Sequence, residues 1–439
     1  MQKWGWTMKK ILLSILCMTT ALLLGSCSLT DFFPNSNQSK TPSGNASFVG
    51  SLSQPAEFPP ADGDPFSQGS TGKDKEETKA PEGEIRAVWL SYLELKAMFA
   101  GDFTANVKSC FETLKQNGMN TVFAQVRPFS DALYPSKLFP WSHIITGTQG
   151  QDPGYDPLQI MVDCAHELGL KIEAWINPYR VRAGGSLELS ADNPAAKWLS
   201  EGSDCVVESG GGLYYNPARE EVISLIVDGV KELVENYELD GIHFDDYFYP
   251  TTDENFDKQA FADSGDGRTL EAFRTERVSD LVKRTYDVVK AKNSELLFGI
   301  SPAGNIGNNL NRLYADVKLW GSAPGYVDYL CPQIYFGFEH ETAAFDKMVE
   351  AWEALCTSDS VKLYVGLAAY KIGTEDTVYA GSGRDEWKTC EDMLKRQVLC
   401  ARQAAHYRGF ALYRYDSMFS PSLSDQAKKE WKNLKSVLN

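Results

Sequence analysis

Eight repeats of a short apolar strand and an amphipathic helical stretch constrain the fold of this chain more than any other feature. Strands that alternate with helices indicate a parallel sheet, and eight such units predict a closed (β/α)8 TIM barrel. The alternative is an open doubly wound sheet, which normally has a Gly-rich phosphate-binding turn after its first strand, and none is present there. The predicted strands cover residues 84–92, 121–129, 171–179, 241–247, 297–304, 327–335, 362–370 and 409–415.

Long connections follow several of the predicted strands at their carboxyl ends. They cover residues 128–156, 178–216 and 251–269, whereas a return connection such as 116–120 is short. In a barrel, the loops at the carboxyl ends of the strands build the active site. The sequence therefore predicts long βα loops and marks the end of the barrel at which function is expected.

The amino-terminal residues have the pattern of a targeting signal. Lys9 and Lys10 precede an apolar run that ends in the sequence LGSC, which resembles the lipobox of bacterial lipoproteins. The run is shorter than the about 20 residues that a membrane-spanning helix needs, although an ordinary signal or a short membrane anchor stays open as an alternative. We predict a signal peptide over residues 1–26 and lipidation of Cys27, so that the protein is extracytoplasmic and lipid-anchored to the cell membrane.

The segment that follows differs in composition from the rest of the chain. Residues 27–83 are rich in Ser, Gly, Pro and charged residues, and cannot bury an apolar core. We therefore predict a flexible tether over 27–83 and a single catalytic barrel over 84–439.

Composition and missing motifs exclude several classes of function. The formal net charge of −16 argues against a nucleic-acid partner, whose phosphates would be repelled. The five His residues show no metal-ligand spacing, and the nine Cys residues include no CxxC pair. No GxSxG motif for serine hydrolysis is present. The sequence predicts neither a metal nor another cofactor.

The stretch DGIHFDDYFYP, residues 240–250, places two carboxylates directly after an apolar strand. Side chains alternate along a strand, so Ile242 and Phe244 are expected to face the helices. By the same count, His243 and Asp245 face the barrel axis or its mouth. Asp245 then lies where a barrel enzyme holds its catalytic groups.

Polar and aromatic side chains from the other strands are expected at the same mouth. Amides and carboxylates bind hydroxyl groups and aromatic rings cover sugar faces, so such a set suits a polyhydroxylated ligand. The predicted ligand-binding residues are Gln125, Arg127, Asp131, Asn177, His243, Tyr247, Gln333, Tyr335 and Tyr370. The last strand contributes Tyr413 and Tyr415 by the same count.

Three of the polar residues have a structural alternative. His243 is also compatible with an interior position, hydrogen-bonded within the barrel. Arg127 could instead hold Asp245 in place. Glu173 lies deeper in its strand, where a buried ion pair with Arg86 is expected.

Four motifs in this order resemble the glycosyl hydrolase-like family 10. They are RAVWLSY, FAQVRPFSDALYPS, EAWINPYRV and DGIHFDDYFYP, and the resemblance covers about residues 84–420. Members of this family are bacterial envelope proteins, often lipoproteins, with a (β/α)8 catalytic barrel, and one cleaves peptidoglycan strands that lack stem peptides. The resemblance implies a glycoside hydrolase that acts on the glycan of the cell wall.

Two wider likenesses bear on the roles of the residues after the fourth strand. The segment from Asp240 to Asp245 is similar to the DGxRxD pattern of the alpha-amylase superfamily, which implies that Asp245 is the nucleophile, with His243 in the place of the arginine. In the DGxDxDxE pattern of family 18 chitinases the final glutamate is the acid, and Tyr247 occupies that place here.

Glycoside hydrolysis normally needs a second carboxyl group, which acts as acid where the first is nucleophile or base. The fifth strand ends in Gly299-Ile300-Ser301-Pro302 and offers none. Glu339 is favoured because it follows the sixth strand, and Asp131 and Asp246 are the other candidates. Such an acid is expected to have a raised pKa, from burial or from the charge of Asp245.

Two hypotheses follow from these patterns. The first is a lipid-anchored hydrolase of peptidoglycan glycan that uses Asp245 with a second carboxylate. The second, motivated by the missing carboxylate on the fifth strand, is a non-catalytic barrel that binds glycan. Within the enzyme hypothesis, a different polysaccharide substrate also stays open.

Overall fold

The structure, a computed structural model, describes residues 79–184, 187–265 and 267–438. The predicted signal peptide, Cys27 and the tether up to residue 78 lie outside the described residues.

Eleven short strands lie in the described part of the chain. They are β1 (Ile85–Leu90), β2 (Thr121–Arg127), β3 (Lys171–Ile176), β4 (Arg180–Arg182), β5 (Val206–Ser209), β6 (Gly212–Tyr215), β7 (Gly241–Phe244), β8 (Leu297–Ile300), β9 (Tyr329–Leu330), β10 (Lys362–Leu367) and β11 (Tyr407–Leu412). Eight of them close a barrel in the order β1-β2-β3-β7-β8-β9-β10-β11 and back to β1. The predicted (β/α)8 barrel is confirmed.

Helices surround the barrel and also occupy its long loops. They are α1 (Tyr92–Phe99), α2 (Phe103–Gln116), α3 (His143–Thr146), α4 (Pro157–Glu167), α5 (Pro194–Ser200), α6 (Glu220–Asn236), α7 (Lys258–Ser264), α8 (Leu270–Lys292), α9 (Ile306–Asn311), α10 (Val317–Ser322), α11 (Phe345–Leu355), α12 (Glu386–Thr389), α13 (Met393–Ala401), α14 (Tyr415–Phe419) and α15 (Asp425–Lys435). Short 3-10 turns cover Ala369–Lys371 and Gly381–Asp385. Within the described residues, every helix is too short or too polar to span a lipid bilayer.

Local sequence explains where several outer helices begin. The side chain of Asp102 caps α2 by accepting from Ala105 N at 3.0 Å, and Asp156 caps α4 by accepting from Gln159 N at 3.1 Å. These caps satisfy amides that would otherwise lack a partner at the helix start. The caps also fix the ends of the loops that lead from the mouth of the barrel into the helices.

Two apolar layers make up the core. Ile242 and Phe244 pack in the layer between the strands and the helices. Trp89, Phe123 and Trp175 belong to a separate cluster that fills the barrel interior. The expected alternation along β7 is therefore confirmed for its apolar residues.

A buried hydrogen-bonded chain crosses the barrel interior. Trp89 Nε1 donates to His243 Nε2 at 3.1 Å, His243 Nδ1 lies 2.7 Å from the Tyr329 hydroxyl, and that hydroxyl donates to Glu173 Oε2 at 2.6 Å. Burial lowers the pKa of His243 to about 3 and raises that of Glu173 to about 8. His243 is fully buried, so its prediction as a sugar ligand is wrong and the interior alternative holds.

The expected ion pair between Glu173 and Arg86 is also wrong. Arg86 donates to Glu84 Oε2 at 3.0 Å instead, and Glu173 is paired with Tyr329. Glu173 points into the barrel, where only interior side chains reach it.

The long connection after β3 contains regular secondary structure. It contains α5 and a three-stranded sheet in the order β4-β6-β5, whose strands pair antiparallel. These strands have three or four residues each, too few to show an alternating pattern. The sheet places Arg180, the first residue of β4, over the mouth of the barrel.

Candidate active site

Asp245 lies at the centre of the mouth, one residue beyond the end of β7. It is only 3% exposed. Its Oδ2 atom accepts from Trp175 Nε1 at 3.1 Å and from Asn177 Nδ2, while Oδ1 accepts from Tyr247 N at 3.1 Å. All three partners are donors, so they orient the carboxylate and favour its ionised form.

A relay of amides fixes Asp245 from behind. The Tyr92 N–H at the start of α1 donates to Gln125 Oε1 at 2.9 Å, Gln125 Nε2 donates to Asn177 Oδ1 at 2.6 Å, and Asn177 donates to Asp245. Gln125 and Asn177 are both buried. We predicted them as sugar ligands, whereas the structure places them as positioning residues that hold the carboxylate.

The second aspartate also faces the mouth, although a strict alternation would turn it sideways. The Gln333 amide hydrogen-bonds to the Asp246 carboxylate and donates to Ser301 O at 3.0 Å. Burial raises the pKa of Asp246. Burial, and then the charge of Asp246, raise the pKa of Asp245 to about 7. The two carboxyls thus act on each other, and each keeps its proton to a higher pH than an ordinary aspartate does.

Arg127 does not line the mouth, which corrects the prediction from alternation. The pairing of β2 with β3 shifts between Gln125 and Arg127, so a bulge turns the arginine towards the helices. Its guanidinium lies 4.4 Å from the centroid of the Phe139 ring and against Gly229 of α6. Arg127 is therefore a buried residue of the outer layer, and it does not hold Asp245.

The arginine that lies in the mouth is Arg180, whereas the sequence pattern predicts Arg127 there. Its Nε donates to Pro128 O at 2.9 Å, and its guanidinium lies 4.7 Å from the centroids of both Phe129 and Tyr247. The positive charge lowers the pKa of Asp245 and of Asp246 against the effect of burial. The motif INPYRV contains this residue, but the sequence gives no sign that the chain turns back over the barrel after β3.

Aromatic rings surround the aspartate pair on both sides. Tyr247 is 39% exposed beside Arg180. On the other side, Tyr335, Tyr370 and Tyr413, which we call the tyrosine cluster, contact each other with ring centroids 5.6 to 5.8 Å apart. The predicted mouth positions of Tyr247, Gln333, Tyr335 and Tyr370 agree with this geometry. Tyr415 lies instead on α14, where it packs against Phe419.

Asp131 is a structural residue of the loop after β2. It is fully buried, and its Oδ2 atom lies 2.7 Å from His143 Nδ1 and accepts from Gln149 Nε2 at 3.0 Å. These bonds tie the two ends of the loop together. The predictions of Asp131 as a ligand-binding residue and as a candidate acid are wrong, because its carboxylate is fully buried against His143 and Gln149.

Glu339 lies on the rim of the barrel. Its side chain is exposed, and its backbone N–H donates to Glu386 Oε2 at 2.9 Å. The charged groups that act most on Asp245 are Asp246 and Arg180. The geometry therefore favours Asp246 over Glu339 as the second carboxyl, and the catalytic role of either residue stays a prediction.

This arrangement provides the groups that glycoside hydrolysis requires. One carboxyl of a coupled pair can hold a proton for the leaving oxygen while the other is ionised to attack or to activate water. Exposed ring faces and the Arg180 and Gln333 side chains can hold a sugar next to them. A barrel whose mouth holds such groups is typical of hydrolases that cleave carbohydrates.

Comparisons with known proteins assign the chain to a family within this class. The model of the family glycosyl hydrolase-like 10 matches residues 84–380. Glycosyl hydrolase YngK of Bacillus subtilis is 36% identical over 360 residues, which cover 74% of this chain and 67% of that protein. Glycosyl hydrolase DigH of Escherichia coli K12 is 33% identical over 340 residues, covering 70% and 74% respectively. The chain belongs to the glycosyl hydrolase-like 10 family and is a glycoside hydrolase.

Solved structures with the same fold are more distant in sequence. The PgaB glycoside hydrolase domain from Bordetella bronchiseptica has a TM-score of 0.52 at 13% identity, covering 81% of this chain and 99% of that one. The catalytic domain of beta-amylase from Paenibacillus polymyxa has a TM-score of 0.52 at 12% identity, covering 82% and 100%. At these identities the likeness supports the fold alone.

The positions of Arg180 in the mouth and of Arg127 in the outer layer predict opposite results for their substitution. Arg180→Met is expected to lower kcat/KM at neutral pH by about 10- to 100-fold, because the substrate loses a contact and the pKa of both aspartates rises. Arg127→Met is expected to leave kcat and KM unchanged, since a flexible apolar chain of similar length still fills the space over Phe139. Steady-state kinetics with thermal unfolding checks both. If Arg127→Met raised KM without loss of stability, Arg127 would contact the substrate, and its placement outside the mouth would be wrong.

Proposed function

We propose that this protein hydrolyses the glycan strands of peptidoglycan, through Asp245 and Asp246, at the outer face of the cytoplasmic membrane. The observation that carries the chemistry is the pair of neighbouring carboxylates in the mouth, Asp245 buried and Asp246 partly buried, with the pKa of Asp245 raised to about 7. Asp245 acts as nucleophile or base, and Asp246 acts as the acid. Arg180, Gln333 and the aromatic rings position the sugar.

The features of the mouth support a polysaccharide substrate. Its walls combine the tyrosine cluster and Tyr247 with a few hydrogen-bonding groups, which suits rings that carry hydroxyl and amide groups. The glycan of peptidoglycan consists of such rings. The four sequence motifs shared with the family favour the same substrate.

The location follows from the amino-terminal sequence. The LGSC motif ending at Cys27 supports lipidation there, and residues 28–83 have the composition of a long tether. A lipid anchor with such a tether lets the barrel reach the wall above the membrane. The membrane is the partner in this proposal, through the lipid on Cys27.

The test is to incubate the protein with purified peptidoglycan, both intact and stripped of stem peptides by an amidase. Soluble products are then analysed by mass spectrometry. We expect sugar fragments without peptides from the stripped material, and few or none from the intact material. Release of fragments from an unrelated polysaccharide but not from peptidoglycan would reject peptidoglycan as the substrate. The proposed hydrolysis of a glycan would still hold.

A glycan-binding barrel without catalysis is the second hypothesis from the sequence. The family assignment and the coupled carboxylates argue against it, although β8 is followed by Ser301 and Pro302 with no carboxylate. Saturable binding of stripped glycan with no new reducing ends would support it against the proposal.

A further inference from the structure

An exposed tyrosine projects from the loop after β10, away from the aspartate pair. Tyr379 is 78% exposed and its neighbour Val378 is 64% exposed, the highest values among the large apolar side chains of the described residues. Tyr379 also has a φ of 53°, in the left-handed region that a residue other than glycine rarely adopts. Packing does not explain this tyrosine, because most of its surface is in solvent.

The backbone on both sides of Tyr379 is held in place. Val378 O accepts from His340 Nε2 at 3.0 Å, and Ala380 O accepts from Glu341 N at 3.1 Å. Ala380 itself is buried. The surrounding structure thus maintains the unfavourable φ and fixes the backbone from which the ring projects, which is the pattern expected of a functional position.

The loop is braced against the mouth of the barrel. Lys371 Nζ donates to Tyr335 O at 2.8 Å and to Asp376 Oδ2 at 2.7 Å. Tyr335 belongs to the tyrosine cluster. Tyr370 of the same cluster lies in the 3-10 turn Ala369–Lys371, which leads directly into this loop. Tyr379 therefore stands on the working face, further out along the same side of the mouth.

A carboxylate lies against the backbone of the same loop. A side chain at Gly381 would overlap the Glu341 carboxylate, with a Cβ 2.1 Å from Oε2, so that carboxylate lies against the backbone two residues from Tyr379. The aromatic ring and the carboxylate together offer a stacking face and a hydrogen-bond acceptor for hydroxyl groups. This is the same pair of features that the mouth uses.

We infer that Tyr379 and Glu341 form a distal subsite that binds a sugar ring of a polysaccharide chain, outside the sugars bound next to Asp245. This inference rests on the proposed function, because the polysaccharide that binds there is the substrate that the enzyme cleaves. It deepens that function, because such a subsite makes the enzyme favour long strands over short ones.

Size and charge argue for a sugar over other occupants. Two exposed side chains provide far less apolar area than the about 800 Å² per partner of a stable protein interface. The nearby Arg384 and Lys388 are paired with Glu375 at 2.7 and 2.8 Å, and the chain has a net charge of −16. An anionic lipid surface is thus repelled, whereas a ring with hydroxyl groups is not.

The test compares strands of different length. For long strands of stripped peptidoglycan glycan, Tyr379→Ala is expected to raise KM about five- to tenfold, the loss of one stacked ring, with kcat unchanged. For fragments too short to reach the loop, neither constant changes. Tyr155→Ala, which removes an equally polar but 39% exposed ring from a different loop, is the matched control and leaves both unchanged.

A second variant separates function from folding. Tyr379→Gly is expected to raise the thermal midpoint, because glycine adopts the positive φ freely, and to raise KM for long strands as Tyr379→Ala does. An unchanged KM for long strands in both variants would overturn the inference while leaving the proposed hydrolysis intact. In protein that carries Cys27→Ser and therefore has no lipid at that position, loss of sedimentation with phosphatidylglycerol vesicles in Tyr379→Ala, at an unchanged KM, would overturn it in favour of a membrane contact.

The failure of the proposed substrate gives a different result. If the wild type cleaves no peptidoglycan, affinity electrophoresis in gels that contain other polysaccharides tests the subsite directly. Retardation that is weaker for Tyr379→Ala and for Glu341→Gln supports the subsite with another glycan. Equal retardation of all variants in every gel overturns it.

Discussion

Replacement of Asp245 by asparagine is expected to lower kcat by about 10⁴-fold, because the amide cannot act as nucleophile or base. An asparagine has the same shape, and its amide oxygen can still accept from Trp175 and Asn177, whereas the Tyr247 N–H faces the new NH2 group and loses its acceptor. Binding of glycan is therefore expected to change little. The measurement is the initial rate of reducing-end release with purified glycan, with affinity for the same glycan determined in parallel.

Stability provides the control for this variant. The folded-state pKa of Asp245 is raised to about 7, above the value of about 4 in an unfolded chain, so its contribution to stability is present at low pH and is lost as pH rises through about 7. Asparagine carries no charge at any pH. The thermal midpoint of Asp245→Asn above neutral pH is thus expected to be close to that of the wild type, since removal of a buried charge offsets the lost hydrogen bond from the Tyr247 N–H. A variant that unfolds early would leave the rate uninterpretable, and Asp245→Ser would then replace it.

Removal of Asp246 is expected to have the second largest effect. Asp246→Asn is expected to lower kcat on glycan by about 10²- to 10³-fold, because the leaving oxygen no longer receives a proton. An aryl glycoside whose leaving group needs no proton should recover most of the lost rate. The same substrate should not rescue Asp245→Asn, which distinguishes the acid from the nucleophile or base.

The pH dependence gives an independent check on the pair. Asp245 must be ionised while Asp246 keeps its proton, so kcat/KM of the wild type should rise with pH as the pair loses its first proton and fall again as it loses the second. Asp246→Asn leaves Asp245 as the only titrating carboxyl of the pair, so the falling limb should disappear. Loss of the rising limb instead of the falling limb in Asp246→Asn would make Asp245 the acid, and the two roles would be exchanged.

Much of the barrel could be predicted from the sequence, because its signal is repeated. The alternation of apolar residues along β7 places Ile242 and Phe244 outside and Asp245 at the mouth, as observed. The loop lengths identify the working end. These features depend on local patterns, which one sequence contains in full.

The errors lie where the backbone departs from the regular pattern. The bulge in β2 turns Arg127 outward, and the sequence VRP gives no sign of it. Arg180 enters the mouth because the chain folds back through β4, which is a tertiary event. Residues on long loops show the same problem, since Asp131 and Glu339 are close to strand ends in sequence but not in the mouth.

Hydrolysis by the aspartate pair is tested most directly in water enriched in oxygen-18. A hydrolase adds one oxygen atom from water to each new reducing end, so fragments of stripped peptidoglycan made by the wild type should carry one oxygen-18 label. Arg127→Met should give the same labelled fragments, and Asp245→Asn should give none. Unlabelled fragments that end in anhydro sugars, or labelled fragments from Asp245→Asn at the wild-type rate, would contradict the assignment of this chemistry to Asp245.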